Sequence, residues 1–466
     1  MSSSAIPLAR VAPDDKSDTA FFGHPKGLGF LAFTEAWERF YFYGMQTLLV
    51  LYMVNRLLMP GHIEHVAGFA AFRHVIESAY GPLSTQALAS AIFGVYGGAV
   101  YLTPILGGLL ADRVLGRRTT IIIGALLMAA GHFLMAFDQP FLLALLCLVL
   151  GNGCFKGNIA SQVGALYKGD DHRAADAFQI FYLGINAGVI LAPMICGTLG
   201  ETLGWHWGFA AAGIGMLLGL TIYLSGRRWL PPETRNARDA AARPKLKPGE
   251  GKVVAVLILL LPVFAIGIVG NQEIFNAYLV WAQRNAQLSA FGHALPTTWL
   301  ITVDTIASVS CMAGSVVFWQ MWAKRWREPD ELTKIIIGSA ISVTGFLTLA
   351  GAALWQAQTG QKIGIGWLVA FHILNSIGFA NVLPVSLALY SRAAPAALGA
   401  TIIGIYYLHL FAANFMVGWV GGLLDKMPAV QFWLLHAGLA GAAAVIFLLV
   451  KPLIGGILDR AEAAPH

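Results

Sequence analysis

Charge is scarce in this sequence. Lys, Arg, Asp and Glu make up 12% of its 466 residues, about half the share found in a soluble globular domain. That scarcity excludes a soluble enzyme, a disordered chain and a nucleic-acid binder. A formal net charge of +6 remains. In a membrane chain such an excess of Lys and Arg marks cytoplasmic loops rather than an anionic partner. Cysteine is sparse too. Cys147, Cys154, Cys196 and Cys311 all fall in apolar stretches, which excludes a disulfide scaffold. None has metal-ligand spacing, so they read as small buried hydrophobes. No nucleotide-binding loop, zinc spacing, Ser-His-Asp order or catalytic carboxylate pair stands out. Neither a cofactor nor a metal is expected, and an integral-membrane enzyme has little support. The N-terminus is polar up to Phe21, with no apolar run before a small-residue cleavage site, so no cleaved signal peptide is expected.

Apolar residues, in contrast, are abundant. They make up 57% of the chain, and the mean hydropathy is +0.67. A helix needs about 20 residues to cross a bilayer. Twelve segments qualify, with cores near 27–54, 86–110, 119–137, 140–167, 175–199, 205–225, 253–282, 297–322, 335–355, 363–390, 398–424 and 430–450. The expectation is an all-α integral membrane protein with twelve transmembrane helices. Glycine, at 52 residues, lets helices approach closely in lipid. Most of this pattern is therefore packing.

The loop charges alternate. Arg113, Arg117 and Arg118 follow the second span, and Lys168 and Arg173 follow the fourth. Arg227, Arg228, Arg235, Arg238, Arg243, Lys245, Lys247 and Lys252 follow the sixth, and Lys324, Arg325 and Arg327 follow the eighth. The intervening loops carry few basic residues. By the positive-inside rule these loops, and both termini, are cytoplasmic. The expected organisation is a tail over 1–26, a six-helix bundle over 27–227, a basic cytoplasmic linker over 228–252, a second six-helix bundle over 253–453 and a tail over 454–466. Residues 57–84 form the longest outer loop, with no evident chemistry. Six plus six spans suggest a secondary transporter with its site at mid-membrane. Gly107-Gly108-Leu109-Leu110-Ala111-Asp112-Arg113 with Gly116-Arg117-Arg118 resembles the loop signature of the major facilitator superfamily. Asp112, Arg113 and Arg117 are accordingly given a gating and structural role.

Six full charges lie inside the spans: Glu35, Glu38, Arg39, Lys156, Glu273 and Asp304. Each costs roughly 2.5–3.5 kcal/mol at the bilayer centre, or roughly 15–20 kcal/mol together if unpaired. They must pair, protonate or face a water-filled cavity. Glu35, Glu38 and Arg39 stand at i, i+3 and i+4, on one helix face, with Phe42 completing the stripe. A proton can break a Glu–Arg pair and free the arginine for another anion. His372 and His409 are further titratable groups in the tenth and eleventh spans, though a lone membrane histidine is commonly a hydrogen-bonded core residue.

Four stretches carry a more specific resemblance. Glu35-Ala36-Trp37-Glu38-Arg39-Phe40-Tyr41-Phe42-Tyr43-Gly44 resembles the first-helix signature of the proton-dependent oligopeptide transporters, Glu-x-x-Glu-Arg-Phe-x-Tyr-Tyr-Gly. Gly151-Asn152-Gly153-Cys154-Phe155-Lys156-Gly157-Asn158 resembles that family's fourth-helix motif with its lysine. Phe181-Tyr182-Leu183-Gly184-Ile185-Asn186-Ala187-Gly188 with Pro193, and Gly204-Trp205-His206-Trp207-Gly208-Phe209, are similar to the fifth-helix motif and the sixth-helix start. The resemblance is dense over 30–215 and thin in the second half. It implies a major facilitator fold and proton symport of di- and tripeptides by alternating access. Carried over, Arg39 and Lys156 would hold the peptide carboxylate, and Tyr43, Tyr101 and Asn186 its backbone. Glu35 and Glu38 would couple protons, and Tyr406 would stand near the family's eleventh-helix tryptophan. Small peptides, protons and the bilayer are the implied partners. A monomer in the bacterial inner membrane is expected, with no nucleic acid.

The departures from the family pattern bear on the substrate. Phe42 replaces the first Tyr of the pair, and Phe379 in Gly378-Phe379-Ala380-Asn381-Val382-Leu383-Pro384 replaces the tenth-helix glutamate. The seventh helix reads Asn271-Gln272-Glu273, its acid shifted by one. Asp304 falls where the family has asparagine. The expectation is that Asp304, with Glu273, supplies the negative charge for a substrate amine and takes part in proton coupling. Two other readings stay open: a carrier of another small anion or drug, and a peptide receptor that does not transport.

Overall fold

The computed structural model describes residues 18–167, 173–231, 246–247, 249–290, 292–395 and 397–462. Most of the expected linker, 232–245 and 248, lies outside the described residues, as does Lys168. The first six spans are Lys26–Tyr52, Thr85–Leu110, Arg117–Leu134, Phe141–Gly164, Arg173–Ala192 (continuing to Thr202) and Trp205–Gly226. The second six are Glu250–Glu273 with Ala277–Asn285, Trp299–Ala323, Glu331–Thr359, Ile365–Ala393, Gly399–Tyr406 with Leu408–Gly421, and Ala429–Glu462. The last helix runs past the expected boundary at 453. Among the described residues, ten spans are long and apolar enough to cross a membrane by length and composition. The first falls short because it carries Lys26, Glu35, Glu38 and Arg39, and the third because it has only 18 residues and opens on Arg117 and Arg118.

The two halves repeat one packing scheme. In the first, span one packs on five and six, four on two and three, and three on six. In the second, seven packs on eleven and twelve, ten on eight and nine, and nine on twelve. The halves meet along two equivalent seams, two against eleven and five against eight. This is the major facilitator arrangement of two six-helix bundles.

Three spans are interrupted, each for a local reason. Pro193 has no N–H to give the fifth helix, and a π-turn follows over Pro193–Gly197. The seventh span breaks after Glu273, whose Oε1 accepts from Asn276 Nδ2 (2.9 Å) and from the Ala277 N–H (3.1 Å), capping the segment beyond. The eleventh turns at Tyr407. Short non-helical pieces lie at the end of the bundle opposite the termini, here the far end. Ala286–Gln287 pairs in parallel with Ile363–Gly364, and Ser289–Ala290 pairs antiparallel with His293–Ala294. The loop over 57–84 holds a helix, Phe69–Tyr80. Beside it Asp138 accepts from Tyr52 Oη (2.8 Å) and lies 2.7 Å from His62 Nδ1 and 3.7 Å from Arg56 Nε. Partial burial works to raise this carboxyl, but the His62 and Tyr52 bonds and the Arg56 charge outweigh it and hold it below its ordinary range.

Described hydrogen bonds between the halves gather toward the far end. Glu201, ending the fifth span, accepts from the Thr297 and Thr298 N–H groups (2.9 and 2.8 Å) and from Thr298 Oγ1 (2.7 Å). A carboxylate from one half thus caps the eighth helix of the other. Asn55 Nδ2 bonds Gln283 Oε1 (2.9 Å), Ser84 Oγ bonds Asp425 Oδ2 (3.2 Å) and Ser90 Oγ bonds Asn276 Oδ1 (3.2 Å).

Close helix approach depends on particular glycines. A Cβ on Gly107 would fall 1.9 Å from the Gly153 carbonyl oxygen, whereas one on neighbouring Gly108 would meet nothing within 4 Å. Gly107→Ala is expected to destabilise the protein by about 1–3 kcal/mol through overpacking, with Gly108→Ala neutral, as read by thermal unfolding in detergent. Equal melting of the two variants would contradict this packing.

Candidate functional site

The first span places Glu35, Glu38 and Arg39 on its inner face, each at most 6% exposed. Arg39 Nε serves both acids, 2.5 Å from Glu38 Oε2 and 3.2 Å from Glu35 Oε1. Asn152 Nδ2 from the fourth span reaches Glu38 Oε1 at 3.5 Å. Among the described residues no bond is made to either Nη of Arg39. Nη2 is sealed from the surface, as is Glu35 Oε2, whereas Nη1 is not sealed. The guanidinium is therefore held by one nitrogen and keeps donors in reserve.

Lys156 lies one helix away and touches rings rather than acids. Its Nζ stands 5.0 Å from the Tyr101 ring centroid and 5.6 Å from that of Phe42, and Arg39 Cζ lies 5.3 Å from the same Phe42 ring. Among the described residues no carboxylate lies within salt-bridge distance of Lys156, and its ammonium is not sealed from the surface. Phe42, where the family pattern has tyrosine, thus offers its ring to both cations. Two open cationic donors on adjacent helices are what a carboxylate would bridge.

The opposing charge comes from the second half. Asp304 on the eighth span is buried, and its Oδ1 lies 2.9 Å from His372 Nδ1 on the tenth. His372 Nε2 lies 2.8 Å from Tyr278 Oη on the seventh. Asp304 Oδ2 takes no bond from a described residue and is not sealed. Tyr43 lies within electrostatic reach of Arg39 and Glu38 of its own half and of Asp304 of the other.

The other expected residues lie elsewhere or contribute differently. Asn186 turns its Nδ2 back to the Tyr182 carbonyl (2.9 Å). Tyr101 crosses the seam to pack against the cluster of Ala265, Ile268, Leu410 and Ala413, and Phe379 packs on the same cluster, so the position that lost a glutamate now makes an apolar contact. Tyr406 is not brought to the charged group. It is buried in the second-half core, its hydroxyl 2.7 Å from Ser386 Oγ. Its neighbour Tyr407 is 39% exposed and interacts with Tyr182 and Tyr101 of the first half. Glu273 is fully buried at the far-end joint, with His436 Nε2 3.9 Å from its second oxygen. His409 bonds the Tyr406 carbonyl (2.5 Å) within the core. Exposed Asp112 and half-buried Arg117 form a pair at 3.8 Å beside exposed Arg113. Sequence reasoning missed Tyr278, Tyr407 and Glu201. Only Glu201 left a signal, as a lone acid ending an apolar span.

Two repeated six-span bundles around buried charges define a multi-pass membrane transporter of the major facilitator type, not an enzyme. The POT family pattern matches residues 118–243 and 250–436, and the chain belongs to this family, the proton-dependent oligopeptide transporters. It is 28% identical to the peptide transporter YePEPT of Yersinia enterocolitica, over 93% of this chain and 95% of that one. It is 28% identical to a di-/tripeptide transporter of Lactococcus lactis, over 94% and 97%. Among solved structures, a peptide transporter POT with bound sulfate superposes at a TM-score of 0.81, with 25% identity over 95% of this chain and 99% of that one. A mutant peptide transporter POT with bound alafosfalin superposes at 0.80, with 27% identity over 95% and 99%.

Arg39 is the counter-ion of two buried acids, so Arg39→Gln is expected to cost about 3–5 kcal/mol of stability. Adding Glu38→Gln should recover part of that loss by removing an orphaned charge. Thermal unfolding in detergent at neutral pH measures both, and an Arg39→Gln protein as stable as the parent would contradict the pairing.

Proposed function

We propose that this chain imports di- and tripeptides with protons across the bacterial inner membrane, as a monomer with both termini cytoplasmic. The observation that carries the reading is the opposition of open charges across the two halves. Arg39 Nη1 and Lys156 Nζ stand on one side, and Asp304 Oδ2 stands on the other. A zwitterion with a carboxylate at one end and an ammonium at the other suits that arrangement. The basic loops after spans two, six and eight support the orientation. The di-/tripeptide and peptide transporters that the chain is similar to support the substrate class.

The cycle runs on one pair of acids. A proton from outside binds Glu35 or Glu38, and the Arg39 Nε contact to that carboxylate loosens. Arg39 and Lys156 then take the peptide carboxylate, Tyr43 and Asn186 approach the backbone, and Asp304 takes the amine. The far-end bonds between the halves correspond to a state closed to the outside, so import requires Glu201 to release the eighth helix and take it back. A potential of 100 mV contributes about 2.3 kcal/mol per proton and a tenfold proton ratio about 1.4 kcal/mol. Together they allow several-hundred-fold accumulation for one proton.

Uptake of labelled dialanine into proteoliposomes, with an inward proton gradient and with the gradient collapsed, tests this directly. Gradient-dependent accumulation is expected in the parent. Lys156→Ala and Asp304→Asn are each expected to weaken dipeptide affinity roughly tenfold, the loss of one charge-assisted contact. Binding without uptake would identify a receptor, and neither binding nor uptake would mean a different substrate.

A further inference from the structure

We infer that His372 sets the charge that Asp304 presents to the substrate, and so makes recognition of the peptide amine depend on pH. The inference rests on the peptide-import reading above. It starts from the buried chain Asp304–His372–Tyr278, which joins the eighth, tenth and seventh spans through contacts of 2.9 and 2.8 Å. His372 and Tyr278 are fully buried. A buried imidazole must keep both ring nitrogens satisfied in whatever protonation state it adopts. Here both states are served. Neutral His372 donates from Nδ1 to Asp304 Oδ1 and accepts at Nε2 from the Tyr278 hydroxyl. Protonated His372 donates from both nitrogens, and the same hydroxyl turns to accept. Neither state strands a polar group, so the site can change charge without breaking its geometry.

The charge presented at Asp304 Oδ2 differs between the two states. With His372 neutral the pair carries −1 and attracts an ammonium. With His372 protonated the pair is neutral overall, and the attraction falls. The remaining surroundings do not duplicate this. Span nine contributes Phe346, 5.6 Å from Phe371, and span twelve contributes Trp433, 6.2 Å from the Tyr278 ring. The next titratable pair, Glu273 with His436, lies beyond that tryptophan, whose ring is 5.3 Å from that of His436. From the first half Tyr43 lies within electrostatic reach of Asp304, and also of Arg39 and Glu38. His372 is therefore a positioning and charge-setting residue, and the amine contact itself is made by Asp304.

The test is a ratio of two uptakes taken with the membrane potential clamped at zero, so that the same pH gradient drives both substrates. Uptake of dialanine and of N-acetyl-dialanine is measured in the same proteoliposomes between about pH 7 and about pH 5, where histidine changes charge while the substrate's α-amine and carboxylate do not. In the parent the preference for the free amine is expected to fall by roughly tenfold across this range. In His372→Gln, whose amide still donates to Asp304 but cannot take a proton, the preference should stay high and flat. In Tyr278→Phe the charged imidazole loses its acceptor, and the fall should move to more acidic pH. A flat ratio in the parent overturns the inference while leaving peptide import intact. So does a His372→Gln ratio that falls as the parent's does, or a Tyr278→Phe profile that superposes on the parent's. No dialanine accumulation by the parent under any gradient would instead overturn the peptide-import reading, and this inference with it.

Discussion

The ion cluster on the first span governs the rest of the site. One guanidinium nitrogen, Arg39 Nε, answers two buried carboxylates, Glu35 and Glu38. In low dielectric three charges on one helix can persist only by neutralising one another or by facing water. Two acids against one arginine leave a surplus negative charge, and Lys156 on the fourth span restores the balance from a distance without pairing. The cluster as a whole is neutral, yet its cations are only partly engaged. That incomplete pairing leaves room for a proton and an incoming carboxylate to exchange places.

The surrounding architecture keeps this cluster opposite its complement. The halves repeat the same helix pairings and meet along two equivalent seams, spans two with eleven and five with eight. Glycines at the seams permit backbone contact. A Cβ on Gly94 would come within 2.5 Å of the Asn414 carbonyl oxygen and 2.7 Å of Gly418. The first-half cations and Asp304 of the second half therefore sit on separate bodies, with Tyr43 in electrostatic reach of both Arg39 and Asp304. A ligand charged at both ends would bridge the two bodies, and its binding energy would act on their relative orientation.

Much of the architecture was legible in the sequence. Helix number, approximate bounds and the first-span cluster follow from apolar length and from i, i+3, i+4 spacing. The breaks were less legible, apart from that at Pro193, whose missing N–H is visible in the sequence. Glu273, read as a central acid, instead caps its own helix break and meets Asn276, which bonds Ser90 of the other half. Tyr406 was placed one residue from Tyr407, and the turn between Tyr406 and Leu408 sends the first ring into the core and leaves the second partly exposed. Asp304 and His372 stand out in the sequence only as separate intramembrane titratable groups. Their pairing, and the part of Tyr278 in it, joins residues 68 and 94 positions apart in the chain, a distance over which sequence spacing carries no signal. The second-half motifs are thin, yet the family pattern runs through 250–436. Departures at single positions such as Phe379 conceal a fold that is kept throughout.

The central claim is that a proton on the first-span acids releases Arg39 and so ties peptide movement to proton movement. The most direct measurement compares two fluxes in Glu38→Gln and Glu35→Gln proteoliposomes. One is exchange of labelled for unlabelled dialanine with no gradient. The other is accumulation driven by an inward proton gradient. Exchange is expected to persist in at least one variant while its gradient-driven accumulation is lost, because the binding groups remain and the proton carrier is gone. Accumulation at the parent's level in both variants would contradict it and move proton coupling away from this cluster.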